Sequence, residues 1–166
     1  MPTAKTLAHE TVALLRQGAD PQRAQRVAAY FKEPVRAFGW TAPALRALAA
    51  SLYARVRTEW TVADAVELCD LLFRQRELEA KGVAMLILQR FRKGYSASLL
   101  RRVRSWLQEG QLDNWASVDG LCPDVLGTLL LREPHLSTRL VPWARSGNRW
   151  VRRASLVAFL LPVRRG

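Results

Sequence analysis

Apolar residues recur at the helical period along almost the whole of this 166-residue chain, and no segment shows the strict alternation of a strand. The sequence therefore predicts an all-α fold. Start and stop signals punctuate the periodic runs. Leu7, Val12, Leu14 and Leu15 belong to a first helix closed by Gly18, a residue suited to the C′ position. Asp20 and Pro21 supply an N-cap and an N1 proline for a second helix running to about Lys32. Thr41 and Pro43 open a third with the apolar set Leu45, Leu48, Leu52 and Val56. Thr61 and Asp64 have the spacing of a capping box and start a fourth. Further helices are expected over about 77–93, 96–109, 114–121 and 123–132, then a short one, then 148–161.

These helices are short, tightly connected and amphipathic. Taken in pairs they approach the repeat of about 40 residues found in HEAT-like solenoids, whose stacked pairs form a concave face suited to something long and curved. A single HEAT-like domain over 1–166 is the expected organisation, with a compact bundle as the other arrangement the pattern allows. Hydrophobic residues make up 49% and charged residues 24%, which supports a packed core rather than disorder. No apolar run approaches the roughly 18–20 residues a membrane helix needs, and Met1–Lys5 lead into an amphipathic pattern rather than a signal peptide. Cys69 and Cys122 alone make neither a disulfide framework nor a closed zinc site. The expectation is a cytoplasmic protein without membrane, metal or cofactor.

Charge narrows the partner. Lys plus Arg number 26 against 14 acids, a net +12, and 22 of the 26 cations are Arg. The excess is uneven, at +3 over residues 1–83 and +9 over 84–166. A compositional preference explains Arg in place of Lys but not the scarcity of acids in the second half. A one-sided basic excess fits a polyanion, usually nucleic acid.

Conventional catalytic sets are mostly missing. His9 and His135 have no Cys, Asp or Glu at metal-ligand spacing and read as surface residues. No Gly-rich phosphate loop is present, and Lys5, Lys32, Lys81 and Lys93 are dispersed, none in an apolar setting that would favour a Schiff base. Two stretches stand out. In Asn114–Gly120, Trp115 and Asp119 are four apart and share a helix face, and an indole beside a carboxylate is a receptor for a cation. The plainer reading of the motif by itself is a core Trp115 with Asp119 capping the helix that begins near Pro123. In Ser146–Ala154, Asn148 reads as an N-cap and Trp150, Ala154, Val157 and Leu161 as a core stripe. Arg149 and Arg152 project away from that stripe, and Arg153 lies at its edge, where a guanidinium needs an acid or a phosphate.

Together these stretches resemble the DNA alkylation repair family, the HEAT-repeat DNA glycosylases of the AlkD type. The likeness runs from Tyr30-Phe31 to the end of the chain. It rests on Phe38-Gly39-Trp40-Thr41-Ala42-Pro43, then Arg76-Glu77-Leu78-Glu79, then the W-x-x-x-D of Trp115 and Asp119, then Asn148-Arg149-Trp150-Val151-Arg152-Arg153-Ala154. Where the family has W-W-D, this chain has Asn114, Trp115 and Ala116.

The resemblance implies excision of cationic N3- or N7-alkylpurines from duplex DNA without base flipping. It implies that Trp115 packs on the sugar of the damaged nucleotide and that Asp119 stabilises positive charge at C1′ and positions the attacking water. Arg153 would hold the nearby phosphates, with Arg149 and Arg152 beside it on the DNA. It also implies further helix pairs beyond Gly166. The alternatives are a non-catalytic HEAT-like module for distorted or branched DNA and a helical-repeat scaffold for proteins. The final helix carries Leu156, Phe159 and Leu160 on its flanks, which predicts self-association through the C-terminal helix.

Overall fold

The computed structural model describes residues 1–165. Among them are nine α-helices and no strand, only an isolated parallel bridge between Arg36 and Glu77. The helices are α1 (Ala4–Gln17), α2 (Pro21–Ala29), α3 (Ala42–Val56), α4 (Val62–Leu72), α5 (Leu78–Arg90), α6 (Ser98–Gln108), α7 (Trp115–Arg132), α8 (Arg149–Val157) and α9 (Leu160–Arg165). They gather into two compact units, one from Met1 to Phe91 and one from Arg92 onward. No described helix is long and apolar enough to cross a membrane.

In the first unit α5 packs against α3 and α4, and α1 against α4 and α5. The start signals read from the sequence act as expected. Asp20 accepts the Arg23 N–H at 2.9 Å, Thr41 accepts the Ala44 N–H, and Thr61 and Asp64 form a complete capping box. Leu7, Leu15, Leu52, Leu68, Leu72 and Ile87 are fully buried. α2 ends at Ala29, three residues before the expected Lys32.

Two residues of this unit act differently from their sequence reading. Gly18 closes α1 at φ −93°, not in the left-handed region, and a Cβ there would stand 2.4 Å from the Trp40 ring. Its smallness admits Trp40, whose Nε1 donates to the Leu15 carbonyl at 2.9 Å. Lys81, read as one of four dispersed lysines outside any apolar setting, is buried in α5. A lysine stem can follow an apolar helix surface inward, which a single-residue reading does not register.

The two family-like stretches of the first unit form one clasp. Glu79 is buried at the start of α5, and its carboxylate accepts the N–H groups of Phe38, Gly39 and Trp40 at 2.8, 2.7 and 3.1 Å. Leu78 donates to the Arg36 carbonyl alongside. Gly39 has φ +89°, and a Cβ there would come within 2.2 Å of the Asp20 carbonyl oxygen, so only glycine fits. The conspicuous F-G-W and R-E-L-E sequences thus hold the backbone before α3, a structural task.

In the second unit α7 packs against α6, α8, α9 and the 3₁₀ turns over 134–139. Trp106, Leu121, Val125, Leu126 and Leu129 are fully buried. The expected break between Leu121 and Pro123 does not occur: α7 runs unbroken through Pro123. Packing on several sides overrides the local stop signal. Two 3₁₀ segments, Pro134–Arg139 and Val141–Arg145, take the place of the short helix expected there.

The last expected helix divides instead into α8 and α9 around Ala158 and Phe159. Pro162 explains the division. Restarting at Leu160 places the proline in a first turn, where its missing N–H has no intrahelical acceptor to serve. The buried stripe of α8 is Val151, Ala154, Ser155 and, just beyond it, Ala158. Trp150 and Val157 are only half-buried, so the face that packs is turned by about one residue from the stripe predicted.

Candidate active site

All five candidate residues of the sequence lie on α7 and α8 of the second unit. The N-cap of α7 is Asn114, itself buried, whose Oδ1 accepts the Ser117 N–H at 2.9 Å and the Ser117 hydroxyl at 3.1 Å. The residue that departs from the family's double tryptophan is therefore the one that starts the helix. An Asn with Ser three positions on is the signal that could have assigned it this role.

Trp115 is the first residue of α7 and is 37% exposed, so it is a surface indole and not core. Asp119, one turn on, does not cap a following helix. It accepts from Arg153 through both oxygens, Oδ1 from Nε at 2.6 Å and Oδ2 from Nη2 at 2.5 Å. This is the side-on fork geometry of an arginine–carboxylate pair. The hydrogen bond to Asp119 raises the Arg153 pKa further above its ordinary value. The two side chains remain 43% and 30% exposed, so the pair is reachable from solvent. The acid or phosphate that the sequence demanded for Arg153 is, in the free protein, Asp119.

The other two arginines of α8 are arranged differently. Arg152 donates from Nη1 to the carbonyls of Ser146 at 2.6 Å and Gly147 at 3.0 Å, bracing the loop that enters α8. The Arg149 guanidinium lies 4.4 Å over the Trp150 ring. Asn148 caps α8 with Oδ1 and donates from Nδ2 to the Leu107 carbonyl at 3.0 Å, fixing the start of α8 against the end of α6. Through these contacts Arg153 is carried on an anchored helix.

Few other groups near the site are chemically competent. Cys122 is buried behind Asp119, and burial, then the Asp119 charge, push its thiol far above the usual range; it is not a thiolate nucleophile. His9 and His135 are exposed, and among the described residues no three His, Cys, Asp or Glu are grouped to hold a metal ion. What remains is an exposed indole, a carboxylate and a guanidinium, a set able to stabilise positive charge on a ligand and bind an anion beside it.

The chain belongs to the DNA alkylation repair enzyme family, which it matches over residues 11–166. The comparison with curated proteins gave no match. Membership assigns the chain to DNA alkylation repair and to a family described as enzymes.

Proposed function

We propose that this protein is a monofunctional DNA glycosylase that releases cationic N3- or N7-alkylpurines from duplex DNA without flipping the base, on a HEAT-like solenoid. The observation that carries the proposal is the Asp119–Arg153 fork set one helical turn from the exposed Trp115. An alkylated purine is positively charged. When its bond to C1′ breaks, the electron pair leaves with the base and neutralises it, and positive charge moves to the sugar. No protonation of the leaving group is required, so stabilising the sugar can supply the catalysis.

Trp115 presents its π face to the sugar, and the Asp119 carboxylate stabilises the charge developing at C1′. Water adds to C1′ and gives up a proton, with Asp119 as the adjacent acceptor. Arg153 uses its Nε–Nη2 edge on Asp119, which leaves Nη1 and its outer edge for a phosphate. The same guanidinium then orients the carboxylate and holds the backbone. Arg149 and Arg152 add positive charge on the same helix.

Release of 7-methylguanine from methylated duplex DNA tests the proposal. Asp119→Asn should lower the single-turnover rate by about 100-fold or more while DNA affinity stays equal or rises, since the lost charge acts on the transition state and repels phosphate. Wild-type protein that binds DNA and releases no base would instead favour a non-catalytic module for distorted DNA.

A second association follows from the C-terminal helices. Leu156 and Val163 are 71% and 78% exposed, and Phe159 and Leu160 are exposed between them. We read these exposed apolar side chains as the site of self-association. Light scattering should show a concentration-dependent dimer that Leu156→Lys with Val163→Lys returns to monomer; wild-type monomer at every concentration refutes it.

A further inference from the structure

We infer that Pro123 is a positioning residue, one that sets where the Asp119 carboxylate meets Arg153. The sequence leads one to expect a proline that starts a helix; the structure places it well inside α7. There it lacks the N–H that would close the helical bond onto the carbonyl four residues earlier, and its ring crowds that carbonyl. The carbonyl belongs to Asp119. The bond that Pro123 cannot make therefore falls on the residue whose side chain forms the fork with Arg153.

The contacts on either side of Pro123 show what the irregularity does. Four residues before it, Asp119 grips Arg153 of α8. Four residues after it, Gly127 meets the α8–α9 turn so closely that a Cβ would lie 2.9 Å from the Leu161 Cβ and 3.0 Å from the Ala158 carbonyl oxygen. α7 thus touches the α8–α9 segment at two fixed points, with the proline midway between them. A straight helix has one relation between its positions 119 and 127, whereas a proline bends it and adjusts that relation. On this inference, the distortion a proline imposes at its own position lets the close Gly127 packing coexist with the fork. A proline in a helix interior is also strongly unfavourable compared with alanine, so stability does not account for it.

The activity arm of the test rests on the glycosylase reading; the spectroscopic arm does not. Pro123→Ala restores the missing N–H and removes the ring that crowds the Asp119 carbonyl. Its expected result is a thermal midpoint for α7 and α8 higher by about 5 °C or more. The Arg153 Nε–H resonance should shift and lose exchange protection, because the fork opens. Single-turnover excision should fall by about 10–100-fold, the scale of a small misplacement of a catalytic group. An unchanged Nε–H signal, or unchanged excision where the wild type excises, overturns the inference. So does a lower midpoint or failure to fold, since the proline would then be serving stability. If the wild-type protein releases no base, the glycosylase reading fails, and the Nε–H signal still decides the role of Pro123.

Discussion

The two units hold opposite uses of charge. Residues 1–91 carry 13 basic and 9 acidic side chains, and those from 92 to 166 carry 13 and 5. In the first unit acids are framework. Glu79 gathers three backbone N–H groups, Asp20 caps α2 and Asp64 completes the box at α4. In the second unit acids are few, and residues 134–165 contain seven arginines and no acid at all. There a carboxylate–guanidinium pair stays solvent-accessible on α7 and α8. A carboxylate buried among backbone donors is committed to the fold, while one held by a half-exposed arginine is still available to a ligand.

The largest test of this contrast is removal of the buried acid. Glu79→Ala leaves the N–H groups of Phe38, Gly39 and Trp40 without their acceptor and should destabilise residues 1–91 by about 3–5 kcal/mol. Glu79→Gln, which keeps an acceptor oxygen without the charge, should lose less. Asp119→Asn, by contrast, should change stability by under about 1 kcal/mol, because its ion pair is partly exposed and screened by solvent. Denaturant unfolding of the three variants checks the ordering. Equal losses at Glu79 and Asp119 would break the comparison.

A smaller effect is expected on DNA affinity. Arg153→Ala should weaken binding to any random duplex by about tenfold at low salt and reduce the slope of log K against log salt by about one, the value for one lost phosphate contact. Excision should fall with it. A slope that does not change would mean that Arg153 serves Asp119 alone. Arg152→Ala offers a contrast on the same helix, because that side chain already braces the carbonyls of Ser146 and Gly147. Its loss should show in the stability of the α8 entry loop as well as in affinity.

How much of this was legible in the sequence depends on how far apart the partners lie. The caps at Asp20, Thr41, Thr61 and Asn148 span two or three residues, and sequence spacing reports them directly. Trp115 and Asp119 share a helix face for the same local reason. The Arg153 fork joins residues 34 apart and the Glu79 clasp residues about 40 apart, so neither has a local signature. The need of Arg153 for an anionic partner could be read, but not which one. Pro123 misled because its local effect is strong and the packing that overrides it comes from other helices. Pro162 had the opposite effect: the continuous apolar period across 148–161 hid a break that the proline's missing N–H explains.

The smallest expected effect separates the units by acid. Hydrogen bonds from Arg55 hold the Glu10 carboxyl below its ordinary range, the Arg23 backbone N–H does so for Asp20, and the Thr61 backbone and hydroxyl donors do so for Asp64. Each is a carboxyl whose pKa is lower folded than unfolded. Its contribution is therefore complete above the unfolded value of about 4 and disappears as pH falls through the folded one. All three lie within residues 1–91. On acidification from pH 6 to pH 3, amides at the starts of α2 and α4, and where α1 meets α3 through Glu10 and Arg55, should lose hydrogen-exchange protection. The triple variant Glu10→Gln, Asp20→Asn, Asp64→Asn should start less stable at pH 6 and lose less across the same interval. These groups are exposed and screened, so each effect is modest, and their sum is what the experiment reads. A triple variant with the same acid sensitivity as the wild type would remove these three carboxylates from the list of groups that make the first unit's framework depend on its acids.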